Sequence, residues 1–131
     1  MYYIVKTKKA VPDKNGLPKS VRETFLAEAE TVVEAAAKVM NEKDGELTGV
    51  TEQPLLKEVF NEKEEDKPFF KLKLVDQFVK DDGTVKEMVY YALVCAADCA
   101  EATRMATEQL KQGYGDIRLD DVQKTKIVAL V

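Results

Sequence analysis

The sequence predicts an α+β fold made by tandem duplication of a β-β-α-β unit, with mainly antiparallel sheet and two helices. The first observation is a repeat: residues 2–6 (YYIVK) recur as residues 69–73 (FFKLK), a shift of 67 positions (69 minus 2). The same shift aligns the turn-forming Asn15-Gly16 with Asp82-Gly83. Because repeats at a fixed spacing mark duplicated structural units, we expect the two copies to be related by a pseudo-two-fold axis.

Each copy is predicted to begin with a long β-hairpin. Residues 2–11 and 19–29 are rich in Tyr, Val, Ile, Thr and Phe, which favour strands. Asn15-Gly16 lies between them, and this dipeptide favours a two-residue type I′ turn. The second copy has the same pattern: strand segments at 69–79 and 85–97 flank a turn at Asp82-Gly83.

The strand sequences also predict which faces are buried. Phe70, Leu72 and Leu74 alternate with Lys71 and Lys73, the period of two that indicates one buried and one solvated sheet face. Tyr3 and Val5 are the counterparts of the buried set in the first copy. There, however, Tyr2 and Ile4 make the second face apolar as well, and we expect something to cover it.

A helix is predicted after each hairpin. Thr31 and Asp98 are each followed three residues later by glutamate, the pattern of a helix N-cap with a capping box. Small residues then recur at helical spacing, which favours close packing of each helix on a sheet. The helices should end near Asp44-Gly45 and Gly113-Tyr114-Gly115, since glycine ends helices readily.

A third strand is predicted after each helix, over residues 50–60, interrupted by Pro54, and over residues 122–131. The repeats then cover about 2–60 and 69–131, and the charged residues 61–68 form a solvated linker. Because about 60 residues alone bury little apolar surface, we expect both repeats to share one core, so that residues 1–131 form a single domain.

Charge and composition restrict the class of function. The 20 basic and 24 acidic residues give a net charge of -4, which opposes general affinity for nucleic acid. The charges are unevenly spread: six cations and one acid occur up to Arg22, whereas residues 42–66 contain nine acids and three lysines. No apolar run is long enough to span a membrane, and no secretory signal is evident, so a cytoplasmic location is expected.

The sequence contains few residues suited to catalysis. Histidine is absent and Ser20 is the only serine, which excludes Ser-His and Cys-His nucleophilic sites. There is no glycine-rich phosphate-binding loop. Cys95 and Cys99 are interpreted as core residues, since free cysteine is usually buried. We therefore predict no catalytic residues, no metal site and no cofactor, and we expect that the protein is not an enzyme.

A binding role is the favoured functional hypothesis. An accessory module for a protein or small-ligand partner, compatible with a homodimer, could use exposed hairpins or a strand edge to add a strand from the partner. The apolar second face at Tyr2 and Ile4 and the apolar segment 127–131 motivate this hypothesis.

The alternative is binding of single-stranded nucleic acid. Aromatic side chains would stack on bases while lysines follow the phosphates. The candidate residues are Tyr2, Tyr3, Phe69 or Phe70 for stacking and Lys6, Lys8, Lys9, Lys71 and Lys73 for the phosphates. The same aromatics could equally be core residues, and the same lysines a soluble sheet face that discourages edge aggregation.

The sequence resembles a known family over nearly its whole length. Residues 25–29 (FLAEA), Thr31 and residues 34–39 (EAAAKV) are similar to the YLVDA and SFTEAEARI signatures of an uncharacterised domain-of-unknown-function family of Bacteroidetes and their phages. Residues 57–60 and 125–127 resemble the ends of its two halves. Tyr2 or Tyr3 stands where that family usually has tryptophan. The resemblance implies no catalytic residue, and it implies a phage-related protein in the bacterial host cytoplasm.

Overall fold

The computed structural model describes residues 1–113 and 116–131. It confirms the α+β class: within these ranges the chain forms eight strands and two helices, and most strand pairs are antiparallel. In the same ranges no helix is long and apolar enough to cross a membrane. In chain order the elements are β1 (Tyr2–Pro12), β2 (Pro18–Glu28), α1 (Val32–Glu42), β3 (Glu46–Gln53), β4 (Leu56–Val59), β5 (Phe69–Val79), β6 (Val85–Cys95), α2 (Cys99–Lys111), β7 (Ile117–Lys124) and β8 (Ile127–Leu130).

The chain forms two compact units, and each has one four-stranded sheet and one helix. The first unit comprises residues 1–54 and 126–131, with α1 and the strand order β3-β1-β2-β8. The second unit comprises residues 55–125, with α2 and the strand order β4-β6-β5-β7. Read backwards, the second order is β7-β5-β6-β4, in which each strand occupies the place of its counterpart in the first unit, as a duplication would produce. The single domain and the pseudo-two-fold relation stay predictions.

The prediction of a single third strand after each helix is wrong. Residues 46–59 form two strands, β3 and β4, which belong to different sheets, and residues 117–130 divide in the same way into β7 and β8. Pro54 lies in the turn between β3 and β4, where its missing amide hydrogen ends the pairing of β3. The short strands β4 and β8 then pair in parallel with β6 and β2.

The two hairpins are confirmed, but their turn type differs from the prediction. We call β1 and β2 the first hairpin, and β5 and β6 the second hairpin; each pairs eleven residues on either side of a five-residue loop. In the first loop the Gly16 amide donates to the Asp13 carbonyl at 3.1 Å, and Gly16 has φ of 77°. No described residue other than glycine has positive φ, so a type I′ turn is excluded. A type I turn followed by a left-handed glycine fits instead.

Both predicted helix caps are confirmed. The Thr31 hydroxyl accepts from the Glu34 amide at 3.1 Å, and the Asp98 carboxylate accepts from the Glu101 amide at 2.8 Å. Each cap satisfies an amide that has no partner inside the helix. The helices end at Glu42 and Lys111; the predicted end at 113–115 lies partly outside the described residues.

The alternating pattern correctly predicted the sheet face that packs on each helix. In the first unit, the apolar side chains of β1 and β2 pack against α1; the buried set is Tyr3, Val5, Phe25, Ala27, Ala29, Ala35 and Val39. In the second unit, the equivalent set packs against α2; its members are Phe70, Leu72, Leu74, Ala92, Val94, Ala96, Ala102 and Ala106. Each helix contributes small side chains, which allows close approach to its sheet.

The segment 61–68 is more ordered than a solvated linker. The Asn61 side chain donates to the Cys95 carbonyl at 2.9 Å and accepts from the Cys95 amide at 2.7 Å. The Cys95 thiol accepts from the Glu64 amide at 3.3 Å and donates to the Lys67 carbonyl at 3.4 Å. Cys95 is therefore a core residue, as predicted, whereas the core prediction for Cys99 is wrong because that thiol is exposed.

Candidate functional site

Three exposed cations share one face of the first hairpin. Tyr3 and Val5 point toward α1, so the alternate residues of β1, which include Lys6 and Lys8, point to the opposite face of the sheet. Arg22 of β2 lies directly across from Lys8 and shares that face. All three cations are exposed. We call Lys6, Lys8 and Arg22 the basic face.

The basic face concentrates positive charge, and its cations form no ion pair among the described residues. Side chains directly opposite on antiparallel strands have Cβ atoms about 4.5–5.5 Å apart, and like charges there are destabilising. Glu46 lies directly opposite Lys8 on β3, but their side chains do not form an ion pair. An anion supplied from outside would relieve the repulsion between Lys8 and Arg22.

The second hairpin shows that the fold does not require these cations. Lys8 is the seventh residue of β1, and the seventh residue of β5 is Val75; Arg22 matches Val89 of β6 by the same count. Val75 and Val89 are directly paired, and Val75 is 1% exposed. The same backbone position therefore accepts an apolar pair in one hairpin and a cation pair in the other.

A shallow groove continues the basic face toward the end of the first hairpin. Its volume is about 320 Å³. It is lined by three lysines, one carboxylate and small side chains: Lys8, Lys9, Lys19, Glu46, Ala10, Pro18 and Ser20. An open groove of this composition suits the carboxylates of an extended acidic segment better than a small molecule, which needs an enclosed and mostly apolar pocket.

The structure divides the predicted first-hairpin residues between two faces. Tyr2, Lys6 and Lys8 lie together on the face opposite α1. Lys9 and Tyr3 lie on the α1 face, where Lys9 Nζ forms an ion pair with Glu23 at 2.9 Å. Tyr3 is 2% exposed, its hydroxyl donates to the Glu30 carbonyl at 3.3 Å, and burial, assisted by nearby carboxylates, raises its pKa. A buried ring offers no face for a base.

The predicted second-hairpin residues have partners within their own unit. Phe69 is 0% exposed, so the structure gives its stacking role no support. The Lys71 ammonium lies 4.3 Å from the centroid of the Tyr91 ring, a cation–π contact. A hydrogen bond from Arg118 lowers the pKa of Asp120, and the charge of Lys73 adds to this effect.

A second groove lies beside the beginning of α2. Its volume is about 490 Å³, and it is lined by Asp66, Pro68, Phe70, Ala97, Asp98, Cys99 and Lys124. Its charged groups are two carboxylates and one lysine, whereas the groove of the first hairpin has three lysines and one carboxylate. Within residues 1–113 and 116–131 no group of three or more cysteine or acidic side chains is arranged to hold a metal ion.

The fold and the basic face together define an α+β protein of two units with an exposed cationic sheet surface. The chain belongs to the family described as "Domain of unknown function (DUF4494)", which matches residues 1–131. Comparisons with curated proteins and with solved structures give no match. The resemblance to an uncharacterised domain-of-unknown-function family is thus confirmed, while its taxonomic range and sequence signatures stay predictions.

Proposed function

We propose that this protein is a non-enzymatic binding module whose basic face holds an acidic segment of a partner protein. The observation that carries the proposal is the exposed pairing of Lys8 with Arg22, at a position where the second hairpin has paired valines. Because the fold accepts valines there, the repulsive cation pair is best explained by a ligand. Lysine and arginine form strong charge-assisted hydrogen bonds with carboxylates.

A protein partner fits the charges better than nucleic acid does. The net charge is -4, and phosphate binding depends on many lysine and arginine contacts. Tyr3 and Phe69, two of the predicted stacking rings, are buried. The basic face contains three cations, which suits a short acidic segment.

The proposal is tested by fluorescence anisotropy with a labelled glutamate decapeptide. Binding should occur at micromolar protein and weaken from about 20 mM to about 150 mM salt, because exposed charges are screened. Replacing the cation pair with the valines of the second hairpin, Lys8→Val with Arg22→Val, should abolish binding. The control Lys57→Val removes an exposed strand lysine of β4 and should bind like the unaltered protein. Equal binding by the double variant would refute the proposal.

Single-stranded nucleic acid remains the second candidate. One observation favours it: Tyr2, Lys6 and Lys8 share a sheet face, and an aromatic ring on the same surface as cations is a usual arrangement for stacking bases along a phosphate backbone. A labelled oligothymidine in the same assay separates the candidates. Tighter binding of the oligonucleotide than of the peptide, weakened by Tyr2→Ala, would favour nucleic acid.

The family resemblance guides the search for the natural partner. A phage-related protein of Bacteroidetes would meet its partner in the cytoplasm of the bacterial host, so an acidic phage or mobile-element protein is the first class to test. Capture from infected and uninfected host lysates, compared between the unaltered protein and the valine variant, would identify a partner that depends on the basic face. Equal capture by both proteins would place the contact elsewhere.

A further inference from the structure

The loop end of the second hairpin exposes a group of large apolar side chains. Phe78, Val79, Val85 and Met88 are 38%, 69%, 64% and 51% exposed. We call these four residues the apolar tip. Val79 is paired with Val85 and Met88 with Asp76, so Val79 and Val85 lie on one face of the ribbon and Phe78 and Met88 on the other. Apolar side chains grouped at one exposed end mark an interaction site more often than scattered exposed residues do.

The backbone at the apolar tip is also open to a partner. β7 pairs with β5 from Phe70 to Asp76, and β4 pairs with β6 from Tyr91 to Leu93. Among the described residues the rest of the hairpin is a two-stranded ribbon, which is marginally stable without further packing. Its outer edges present unpaired amides and carbonyls, which can pair with another chain.

The ends of the two hairpins have opposite charge. In the second hairpin, residues 76–87 contain four acids (Asp76, Asp81, Asp82 and Glu87) and two lysines. In the first hairpin, the equivalent residues 9–20 contain three lysines and one acid, and Lys8 and Arg22 lie close to the two ends of this range. Asp81 is exposed, directly beside the apolar tip, and forms no ion pair with a described residue. The acidic loop is therefore complementary to the basic face.

We propose that the apolar tip of one molecule docks on the basic face of a second copy, with Asp81 and Asp82 near Lys8 and Arg22. This inference rests on the proposed function and names another copy of this chain as the acidic partner. Leu17, 61% exposed in the loop of the first hairpin, supplies apolar surface for the tip. The contact joins two different surfaces, so a dimer keeps one apolar tip and one basic face free, and association continues head to tail.

Sedimentation equilibrium of the full chain tests the inference with two complementary variants. The face variant carries Lys8→Val and Arg22→Val; the tip variant carries Val79→Thr, Val85→Thr and Asp81→Lys, which leaves the Asp82 contact with Thr84 intact. The average mass of the unaltered protein should rise past that of a dimer with concentration. Each variant alone should remain monomeric. An equimolar mixture should form a dimer that does not grow, because it contains one intact pair of surfaces.

Several outcomes would overturn the head-to-tail contact. A monomeric unaltered protein at every concentration would do so, and so would growth retained in the face variant or a mixture that stays monomeric. Circular dichroism confirms that each variant is folded, and Lys57→Val should associate like the unaltered protein. If the glutamate peptide binds through the basic face while the chain stays monomeric, this inference fails and the proposed function stands. If the peptide also fails to bind, both fail.

Discussion

The two hairpins have the same backbone plan and different surfaces. Each has eleven-residue strands and a five-residue loop in which a glycine has positive φ. Two of the cross-strand pairs that differ are Lys8 with Arg22 against Val75 with Val89, and Pro12 with Pro18 against Val79 with Val85. Lysine and proline discourage strand addition at an edge, so the first hairpin is protected where the second is open. The strand lengths and the glycine turn determine the backbone of each hairpin, whereas the cross-strand residue pairs determine the chemistry of its surface.

The comparison extends to the side chains beneath each hairpin. Val5 pairs with Phe25 in the first hairpin, and the matching pair in the second is Leu72 with Ala92. All four side chains are buried. The larger side chain lies on β2 in the first hairpin and on β5 in the second, and the pair Leu72–Ala92 is much smaller in total than Val5–Phe25. The neighbouring side chains must therefore differ as well, because each interior is close-packed.

Substitutions at the pair Lys8–Arg22 and at its counterpart Val75–Val89 should change the free energy of unfolding by very different amounts. Val75→Lys places a charge at a site that is 1% exposed, and an unpaired buried charge costs about 3–5 kcal/mol. Lys8→Val with Arg22→Val should leave the free energy of unfolding unchanged or raise it by about 0.2–1 kcal/mol, since a like-charge pair is removed. Urea denaturation measures both. A similar decrease in the free energy of unfolding for both variants would show that the cation pair stabilises the fold, and would contradict its interpretation as a binding feature.

Copying the small residue of the second hairpin into the first tests the packing of the buried pair Val5–Phe25. Phe25→Ala copies Ala92 without the leucine found opposite it, and it should lower the free energy of unfolding by about 3–5 kcal/mol. Adding Val5→Leu, the residue found at Leu72, should recover part of that loss. Leu17→Ala, at a loop site that is 61% exposed, is the control and should change little. An unaltered midpoint for Phe25→Ala in urea would contradict the packing described for the first unit.

The last residues of β2 and β6 provide a third comparison. The Cys95 backbone is held by both ends of the Asn61 amide, whereas the Glu28 carbonyl accepts from Lys38 Nζ at 2.6 Å on the surface. Asn61→Ala leaves buried backbone groups without partners and should cost about 1–3 kcal/mol. Lys38→Ala should cost less than about 1 kcal/mol, as exposed charged contacts do. Thermal denaturation of both variants measures the difference, and equal effects would show that the Asn61 contact contributes nothing special.

The smallest expected effect is the response of the second loop to acid. Hydrogen bonds from Thr84 lower the pKa of Asp82 below its ordinary value of 3.8. Because the folded-state pKa lies below the unfolded one, the stabilising contribution is complete above about pH 4 and is lost as the pH falls through the folded-state value. The Thr84 amide resonance should report a midpoint below 3.8, and Asp82→Ala should remove that titration. A midpoint above 3.8 would contradict the prediction, because folding would then favour the protonated form of Asp82.

Local signals account for what the sequence predicted correctly. The caps at Thr31 and Asp98, the glycine turns and the alternation of Phe70, Leu72 and Leu74 each act within a few residues. The division of the third strands was missed because it depends on pairing with distant strands: β4 joins β6 and β8 joins β2. Pro54 marked the break, but its position does not show that the flanking strands enter different sheets.

The turn type explains why the basic face was only partly found. A two-residue type I′ turn at Asn15-Gly16 would place Lys8 opposite Glu23, an attractive pair that suggests nothing unusual. The observed loop shifts the register by one residue and places Lys8 opposite Arg22. Lys6 and Lys8 were predicted as binding residues on residue type alone, whereas Arg22 requires the correct register. A change of one residue in register exchanges the faces of every side chain on a strand.

Each short strand, β4 and β8, belongs to the sheet of the other half of the sequence, and this limits how the chain can be cut into fragments that fold. A cut after residue 60 would leave the leading fragment without β8 and the trailing fragment without β4, so each would lack one strand of its own sheet. Neither fragment should be well folded when prepared separately, and mixing them should restore both sheets by complementation. If the halves descend from one duplicated ancestor, that shorter ancestor would have completed its sheet only by borrowing the strand from a second molecule.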